Sequence, residues 1–469
     1  MLEYATFVRK GPGMHQKADS GLSRRQLLSA APASFLAGAG IVGGMSMLEA
    51  AAQTSRATIR DVQTMTVQGG RTYVFVKITT NEGHFGIAEA YGSPGVAVAE
   101  QILALKPVLV GKNPLEIDKI YTFLGAGSLA GTRTDGSAHN LLRAASGIEM
   151  ALWDLAGRML NTPTSVLLGG QFREHVRVYD HSRPRDFLNK ASCREWADQA
   201  KKHPSGFTAH KMDIPRTLDI WSPPPRGRGD AAPPPPPPPG GGLAPYQDNG
   251  KDPGNRKMTT KELINIAQGF ENAREAIGWD HDIMVHCHWE LDLASSIELA
   301  KAVAPMKPLW LEDPLGVDYS ESWKRLADRS PVPILTGENL ARREGFAPFL
   351  TNVGCHLINP DLRNSGGFLE TKRIADMASL YGISTTTHNT ASQLHTYQMC
   401  QWASSIRDFV IAETVTGEGG WRDQLLMLDG PYIQKGYIKV SNKPGTGAEL
   451  NRQVVEAHLA QGEKWWGEG

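Results

Sequence analysis

The chain has no excess of charge of either sign: 49 Lys and Arg stand against 49 Asp and Glu among 469 residues. That balance removes the basic field that nucleic acid or an anionic membrane surface would need. Cysteine is scarce. The four present (Cys193, Cys287, Cys355, Cys400) are widely spaced, and no pair has zinc-finger or redox spacing. A disulfide framework is therefore not expected. The length exceeds one average domain and allows a large buried core.

Ser23-Arg24-Arg25-Gln26-Leu27-Leu28 opens an Ala/Gly-rich apolar run that reaches about Leu48, and Ala50, Ala51 and Ala52 follow. This resembles a twin-arginine export signal over residues 1–52, which carries folded proteins across a bacterial inner membrane. An uncleaved membrane anchor is the alternative, because the run approaches the length of a membrane span. Paired arginines before a weakly hydrophobic stretch favour the signal. The expectation is a periplasmic protein with no stable membrane association after cleavage. No Cys near the cleavage site points to a lipoprotein.

From about residue 56 the pattern is strand-like. Thr58 to Val67 and Tyr73 to Thr79 alternate, and Asn81-Glu82-Gly83 reads as a tight turn. Helical spacing follows from Val96 to Val110, Leu115 to Phe123 and His139 to Leu160, closed by Leu167-Leu168-Gly169-Gly170. Residues 56–175 thus form an α+β domain. A second region, 176–435, begins near Val176-Arg177-Val178-Tyr179-Asp180 and continues with Phe207 to Asp213. The next strand waits until Ile283. Between them, 222–254 holds seven consecutive prolines at 233–239 flanked by glycine, a composition of loops and tolerated insertions. Residues 436–469 turn strand-like again and are expected to pack back on the first domain.

Within the second region, polar residues close apolar runs at a nearly fixed interval. His286 ends Ile283-Met284-Val285, Glu312 ends Leu309-Trp310-Leu311, and Glu338 ends Ile334-Leu335-Thr336-Gly337, with both gaps 26 residues. Asp361, His388 and Glu413 follow at gaps of 23, 27 and 25. One polar residue per strand-plus-helix unit is the pattern of an α/β barrel that builds a site on one rim.

Residues two apart on a strand point the same way, so Lys211 with Asp213, and His286 with His288, should face the barrel interior. Cys287 should then be an inert core thiol. Carboxylates at barrel strand ends are costly unless something positive compensates them. For Glu312 and Glu338 a divalent cation does this most simply, and oxygen ligands favour Mg²⁺; structural salt bridges are the alternative. Asp361, one unit before His388, suits it to orient that imidazole as a general base, against a structural histidine. His395 is expected in a loop or the next helix, solvated or capping.

These residues resemble the enolase superfamily, in the mandelate racemase/muconate lactonizing enzyme family and its sugar-acid (galactonate-type) dehydratase-like branch. The resemblance rests on Asn81-Glu82-Gly83, Gly86-Ile87-Ala88-Glu89, Ala151-Leu152-Trp153-Asp154 and Leu167-Leu168-Gly169-Gly170 in the first domain. In the barrel it rests on Leu311-Glu312-Asp313-Pro314, Thr336-Gly337-Glu338-Asn339, Pro360-Asp361-Leu362-Arg363 with Gly366-Gly367, and His388, and in the tail on Lys443-Pro444-Gly445-Thr446-Gly447. It implies a modified (β/α)₇β TIM barrel under an α+β capping domain built from the N-terminal region and the C-terminal tail. It also implies Mg²⁺ held by the ends of the third, fourth and fifth strands (His286, Glu312, Glu338), and a base that removes the proton α to a carboxylate. His388 with Asp361 matches that base, and His288 matches the acid that assists a departing hydroxyl. Lys211 matches a contact to the substrate carboxylate, and Glu413 a strand-eight acid that hydrogen-bonds the substrate. Substrate specificity would sit in cap loops around Tyr91 to Val96 and Gly125 to Ser137.

Two positions depart from the family pattern. Asp213 stands where racemases carry a second lysine, which disfavours a two-base racemase using that lysine. His286 stands where an acidic ligand is expected and brings no charge. Three explanations are open: Asp213 restores the missing charge, the site takes Mn²⁺ or Zn²⁺ instead, or the metal site is degraded. The implied activity is a metal-dependent dehydratase acting on a small-molecule sugar acid and giving a 2-keto-3-deoxy acid. A hydroxy-acid racemase or epimerase of the same family is one alternative, and a catalytically altered sugar-acid binding protein is another. A homo-oligomer is expected, since relatives are commonly symmetric.

Overall fold

The structure, a computed structural model, describes residues 51–52, 55–69, 71–92, 97–126, 137–214, 256–414 and 420–468. The twin-arginine segment, the proline-rich insertion and most of the two cap loops named above lie outside them. Among the described residues no helix is long and apolar enough to cross a membrane.

An antiparallel meander comes first: β1 (Ile59–Gln68), β2 (Thr72–Thr80) and β3 (Phe85–Ala90). Met65 and Val67 of β1, two apart, are buried on one face, and Val62, three residues before Met65, is buried on the other. Helix α1 (Val98–Leu109) and the long α2 (Ser137–Met159) follow. Helix α2 lies close on β3: a Cβ added at Gly86 would sit 2.2 Å from the Ala151 carbonyl oxygen. The opposite face packs Tyr73 and Phe75 with Leu394, Leu425, Ala448, Val455 and Trp466. The C-terminal tail also pairs with β1, through a bridge between Val67 and Leu459 and a 2.7 Å hydrogen bond from Gln68 N to His458 O. Asp154 of α2 ties the same tail down, accepting from Thr446 N and Oγ1, both at 2.7 Å, and from Ile87 N at 3.0 Å.

Eight parallel strands then close a barrel: β4 (His175–His181), β5 (Ala209–Asp213), β6 (Asp282–His286), β7 (Leu311–Glu312), β8 (Ile334–Thr336), β9 (Leu357–Ile358), β10 (Ser384–Thr387) and β11 (Phe409–Glu413). Pairing of β11 with β4 completes the ring, and β12 (Tyr437–Lys439) adds antiparallel to β4. Helices α3 (Lys190–Lys202), α4 (Thr260–Ile277), α5 (Leu293–Val303), α6 (Glu321–Arg329), α7 (Arg342–Thr351), α8 (Leu362–Ser365), α9 (Gly367–Leu380) and α10 (Gln393–Ser404) connect them. Sequence fixes several helix starts: Asn189 and Asp292 accept from first-turn amides, and Thr259 with Glu262 forms a capping box. This is a (β/α)₇β barrel with a separate cap.

The barrel interior is a packed plug, not a pore. Tyr179, Ala209, Met284, Trp310, Leu335 and Ile411 fill it, with Tyr179 edge-on to Trp310 at 5.8 Å. Lys211, Glu312 and Glu413 stand two residues further along their strands, so the same period that builds the plug lifts these charges above it.

Candidate active site

Parallel strands all end at one rim, and each supplies a polar side chain there. β5 ends at Asp213, β6 at His286, β7 at Glu312 and β11 at Glu413; His388 follows β10 directly, and Glu338 and Asp361 stand two and three residues past the ends of β8 and β9.

His286, Glu312, Asp313 and Glu338 each offer a ligand atom, all within 4.8 Å of one another. Glu312 is buried and engaged: Oε1 accepts from Lys211 Nζ at 3.2 Å and Asn359 Nδ2 at 3.0 Å, and Oε2 from Trp310 Nε1 at 3.0 Å. Burial pushes its pKa up, but Lys211 and then His286 outweigh this and hold it below the usual carboxylate value. The others are less engaged, although Asp313 Oδ1 accepts from Thr336 Oγ1 at 2.6 Å. Glu338 Oε2, Asp313 Oδ2 and both ring nitrogens of His286 are buried with no hydrogen-bond partner. Burial, then the charges of Glu338 and Glu312, raise the pKa of Asp313.

Among the described residues no Lys or Arg pairs with Glu338 or Asp313. Three carboxylates and an imidazole therefore converge with one lysine, which reaches only Glu312 among them and is shared with Glu413. Unpartnered buried acids are costly, and a divalent cation resolves the deficit. Two ligand atoms each about 2.1 Å from one ion lie about 3 to 4.2 Å apart; His286 Nε2 and Glu338 Oε2 are 4.0 Å apart. The donor set fits a divalent cation of the kind enolase-superfamily members bind.

Beside this pocket stands a histidine–carboxylate pair. His388 Nδ1 is 3.0 Å from Asp361 Oδ2, and its Nε2 is 3.7 Å from Glu338 Oε1. Burial opposes the charged imidazole, yet Glu338, Glu413 and Asp361 raise its pKa to about 9. Arg363 holds Asp361 from behind with two hydrogen bonds, at 2.8 and 3.1 Å, and donates to Glu89 of the cap at 2.9 Å. Although burial opposes it, Arg363 and then His388 hold the Asp361 carboxyl far below the usual range. The cap thus reaches the pair from β3. Tyr91 lies between the guanidinium groups of Arg143 and Arg363, at 4.4 and 4.8 Å, a cation–π arrangement.

All nine residues singled out in the sequence lie at this rim, but several stand differently than expected. Lys211 does point inward; it is buried between Glu312 and Glu413, 2.6 Å from Glu413 Oε1. Glu413 Oε2 accepts from Asn389 N, so both of its oxygens are used within the protein. Asp213 binds its neighbours through both oxygens: Oδ1 is 3.1 Å from His181 Nε2 and Oδ2 is 3.2 Å from Arg183 Nη1. His288 does not share the interior. Strand β6 stops at His286 and His288 adopts a φ of 50°. Its ring stacks on His286 at 3.7 Å with 43% of the side chain exposed. Burial and His286 lower its pKa. His395, expected to be solvated or capping, is fully buried in α10, neither ring nitrogen having a hydrogen-bond partner.

Asp313 is the residue that pattern reading missed. It follows Glu312, so strand alternation turns it away, but a φ of 47° ends the strand and swings its carboxylate into the pocket.

Two family models match the chain: the enolase C-terminal domain-like model over residues 195–454, and the mandelate racemase/muconate lactonizing enzyme N-terminal domain over 48–169. A D-xylonate dehydratase of Haloferax volcanii is 33% identical over 413 residues, which cover 87% of this chain and 90% of that protein. A D-galactonate dehydratase of Verminephrobacter eiseniae is 25% identical, with coverage of 82% and 90%. The crystal structure of a mandelate racemase/muconate lactonizing enzyme-like protein from Rubrobacter xylanophilus superposes with a TM-score of 0.74 at 25% identity. It covers 88% of this chain and 100% of its own. The chain belongs to the mandelate racemase/muconate lactonizing enzyme family of the enolase superfamily, in its galactonate-type dehydratase branch, and is a hydro-lyase of that superfamily.

Proposed function

We propose that this protein dehydrates a sugar acid, removing the proton α to the carboxylate and expelling the β-hydroxyl as water to leave a 2-keto-3-deoxy acid. The observation that carries the reading is the His388–Asp361 pair, 3.0 Å apart, with the free His388 nitrogen turned to Glu338. Asp361 occupies Nδ1, so Nε2 is the nitrogen that takes the α-proton. A divalent cation at His286, Glu312, Asp313 and Glu338 supplies positive charge where the substrate's carboxylate becomes more negative. Mg²⁺ suits the three carboxylates, and the imidazole favours Mn²⁺ or Zn²⁺.

The C–H bond breaks to His388, the C–O bond breaks with its electron pair leaving on oxygen, and the resulting enol tautomerises to the ketone. The departing oxygen needs a proton. We assign this to His288, at the mouth beside His286. A second reading is that His388 returns the same proton to the leaving oxygen, and the lowered pKa of His288 favours this. Aldonic acids are the substrate class, with D-xylonate first, because the 33% identical relative carries that name. Export to the periplasm by the twin-arginine route remains part of the proposal and rests on the sequence alone, on Arg24-Arg25 before the Ala/Gly-rich run and Ala50 to Ala52.

A panel of sugar acids assayed for 2-keto acid with Mg²⁺, Mn²⁺ and Zn²⁺ tests the reading. Keto acid formation that a chelator stops supports it. Deuterium exchange at the α-carbon without keto acid makes the protein an epimerase; binding with neither makes it a binding protein.

A further inference from the structure

Asp213 and His286 face each other across paired strands: they are register partners in the β5–β6 ladder. His286 Nδ1 stands 3.3 Å from Asp213 Oδ1. On the other side of the ring, Nε2 stands 4.0 Å from Glu338 Oε2. The ring is 3% exposed; Nδ1 faces the Asp213 carboxylate without a well-aligned hydrogen bond, and Nε2 has no hydrogen-bond partner. A buried imidazole with a carboxylate on one nitrogen and an acid pocket on the other has one chemically complete use. Nδ1 carries the proton toward the carboxylate, and the Nε2 lone pair is left for a cation.

We propose that Asp213 and His286 act together as one ligand unit, Asp213 being a positioning residue that fixes the His286 tautomer and makes Nε2 a stronger donor to the cation. The proposal rests on the cation reading above and adds the route by which residue 213 serves it. Asp213 is itself held by His181 at 3.1 Å and Arg183 at 3.2 Å, so its carboxylate cannot swing freely into the pocket. Its influence passes through the ring. The competing geometry places an ion on the other face, among Asp213, His286 and His288, whose ligand atoms also lie within 4.8 Å of one another.

Mn²⁺ affinity of the full-length protein, measured by calorimetry in four variants, tests this. In the His286 protein, Asp213→Asn weakens binding by about 10- to 100-fold, the usual effect of losing such a partner. In the His286→Asp protein the same substitution changes affinity within about twofold, because the ring that transmits its effect is gone. Electron spin-echo spectra of bound Mn²⁺ show one imidazole nitrogen in the wild type and none in His286→Asp. Equal losses in both backgrounds, or no loss in the first, overturn the proposal. So does a nitrogen signal that vanishes with His288→Ala. Where Asp213→Asn fails to fold, Asp213→Ser closes the cycle. Keto acid formation by the same wild-type preparation scores the dehydratase reading separately. Absence of both Mn²⁺ uptake and turnover sinks both ideas, whereas uptake with turnover and equal losses sinks the ligand unit alone.

Discussion

Asp361 holds His388 at one ring nitrogen, 3.0 Å from Nδ1, and so decides that the other nitrogen faces Glu338. The carboxylate is in turn clamped by Arg363, which joins it to Glu89 of the cap. Loss of His388 as base, by His388→Asn, should lower keto acid formation by on the order of 10²- to 10⁴-fold while Mn²⁺ affinity stays near wild type. Steady-state rates and calorimetry on one preparation decide it; retained turnover removes His388 from the mechanism.

The same histidine makes stability depend on pH in chelator-treated protein. Its pKa rises from 6.5 to about 9 on folding. The stabilisation is therefore complete below pH 6.5 and is lost as pH rises through 9. It amounts to roughly 3 kcal/mol. Denaturant unfolding at pH 6 and pH 9.5 should show this difference in the wild type and not in His388→Asn. Parallel slopes in the two proteins would refute it.

Glu338 and Asp313 are the pocket acids without a lysine, and Glu338 also faces His286 Nε2 and His388 Nε2, so its loss should weaken cation uptake. At a concentration about 100 times Kd, a cation that binds only the folded state adds about 2.7 kcal/mol. Thermal melting with and without Mn²⁺ should show that gain in the wild type and little of it in Glu338→Gln. An equal gain in the variant would place the ion elsewhere.

Asp154 is buried with four hydrogen bonds, from Ile87, Arg158 and two atoms of Thr446. Asp154→Ala removes one of the two carboxylates that Arg158 pairs with, Glu449 remaining, strands the Ile87 and Thr446 donors and frees the tail loop. A loss of about 3–5 kcal/mol is expected, read by urea unfolding. A loss under about 1 kcal/mol would mean that the tail is held by its apolar contacts.

The rim was legible in the sequence because strand-plus-helix units repeat. Once the polar residues at 286, 312, 338, 361, 388 and 413 each close an apolar run, a closed parallel barrel leaves them nowhere else to go. What failed was alternation past a strand's end. His288 and Asp313 both sit at positive φ, one residue or two beyond the last paired position, where period two no longer applies. The use of Lys211 was hidden for another reason. Its partners, Glu312 and Glu413, come from strands far apart in the chain, and no local pattern says which of several inward charges will meet. His395 looked polar and peripheral, yet its helix is buried on nearly all sides.

The pairing of residue 67 with residue 459 sets an order on biosynthesis. The sheet that roofs the site emerges from the ribosome before the barrel, while the segment that borders its outer strand emerges after it. Until residue 459 has been made, the nascent chain carries an open β edge. A product of premature termination, even one with a finished barrel, would keep that edge bare and be the form that aggregates or is recognised by chaperones.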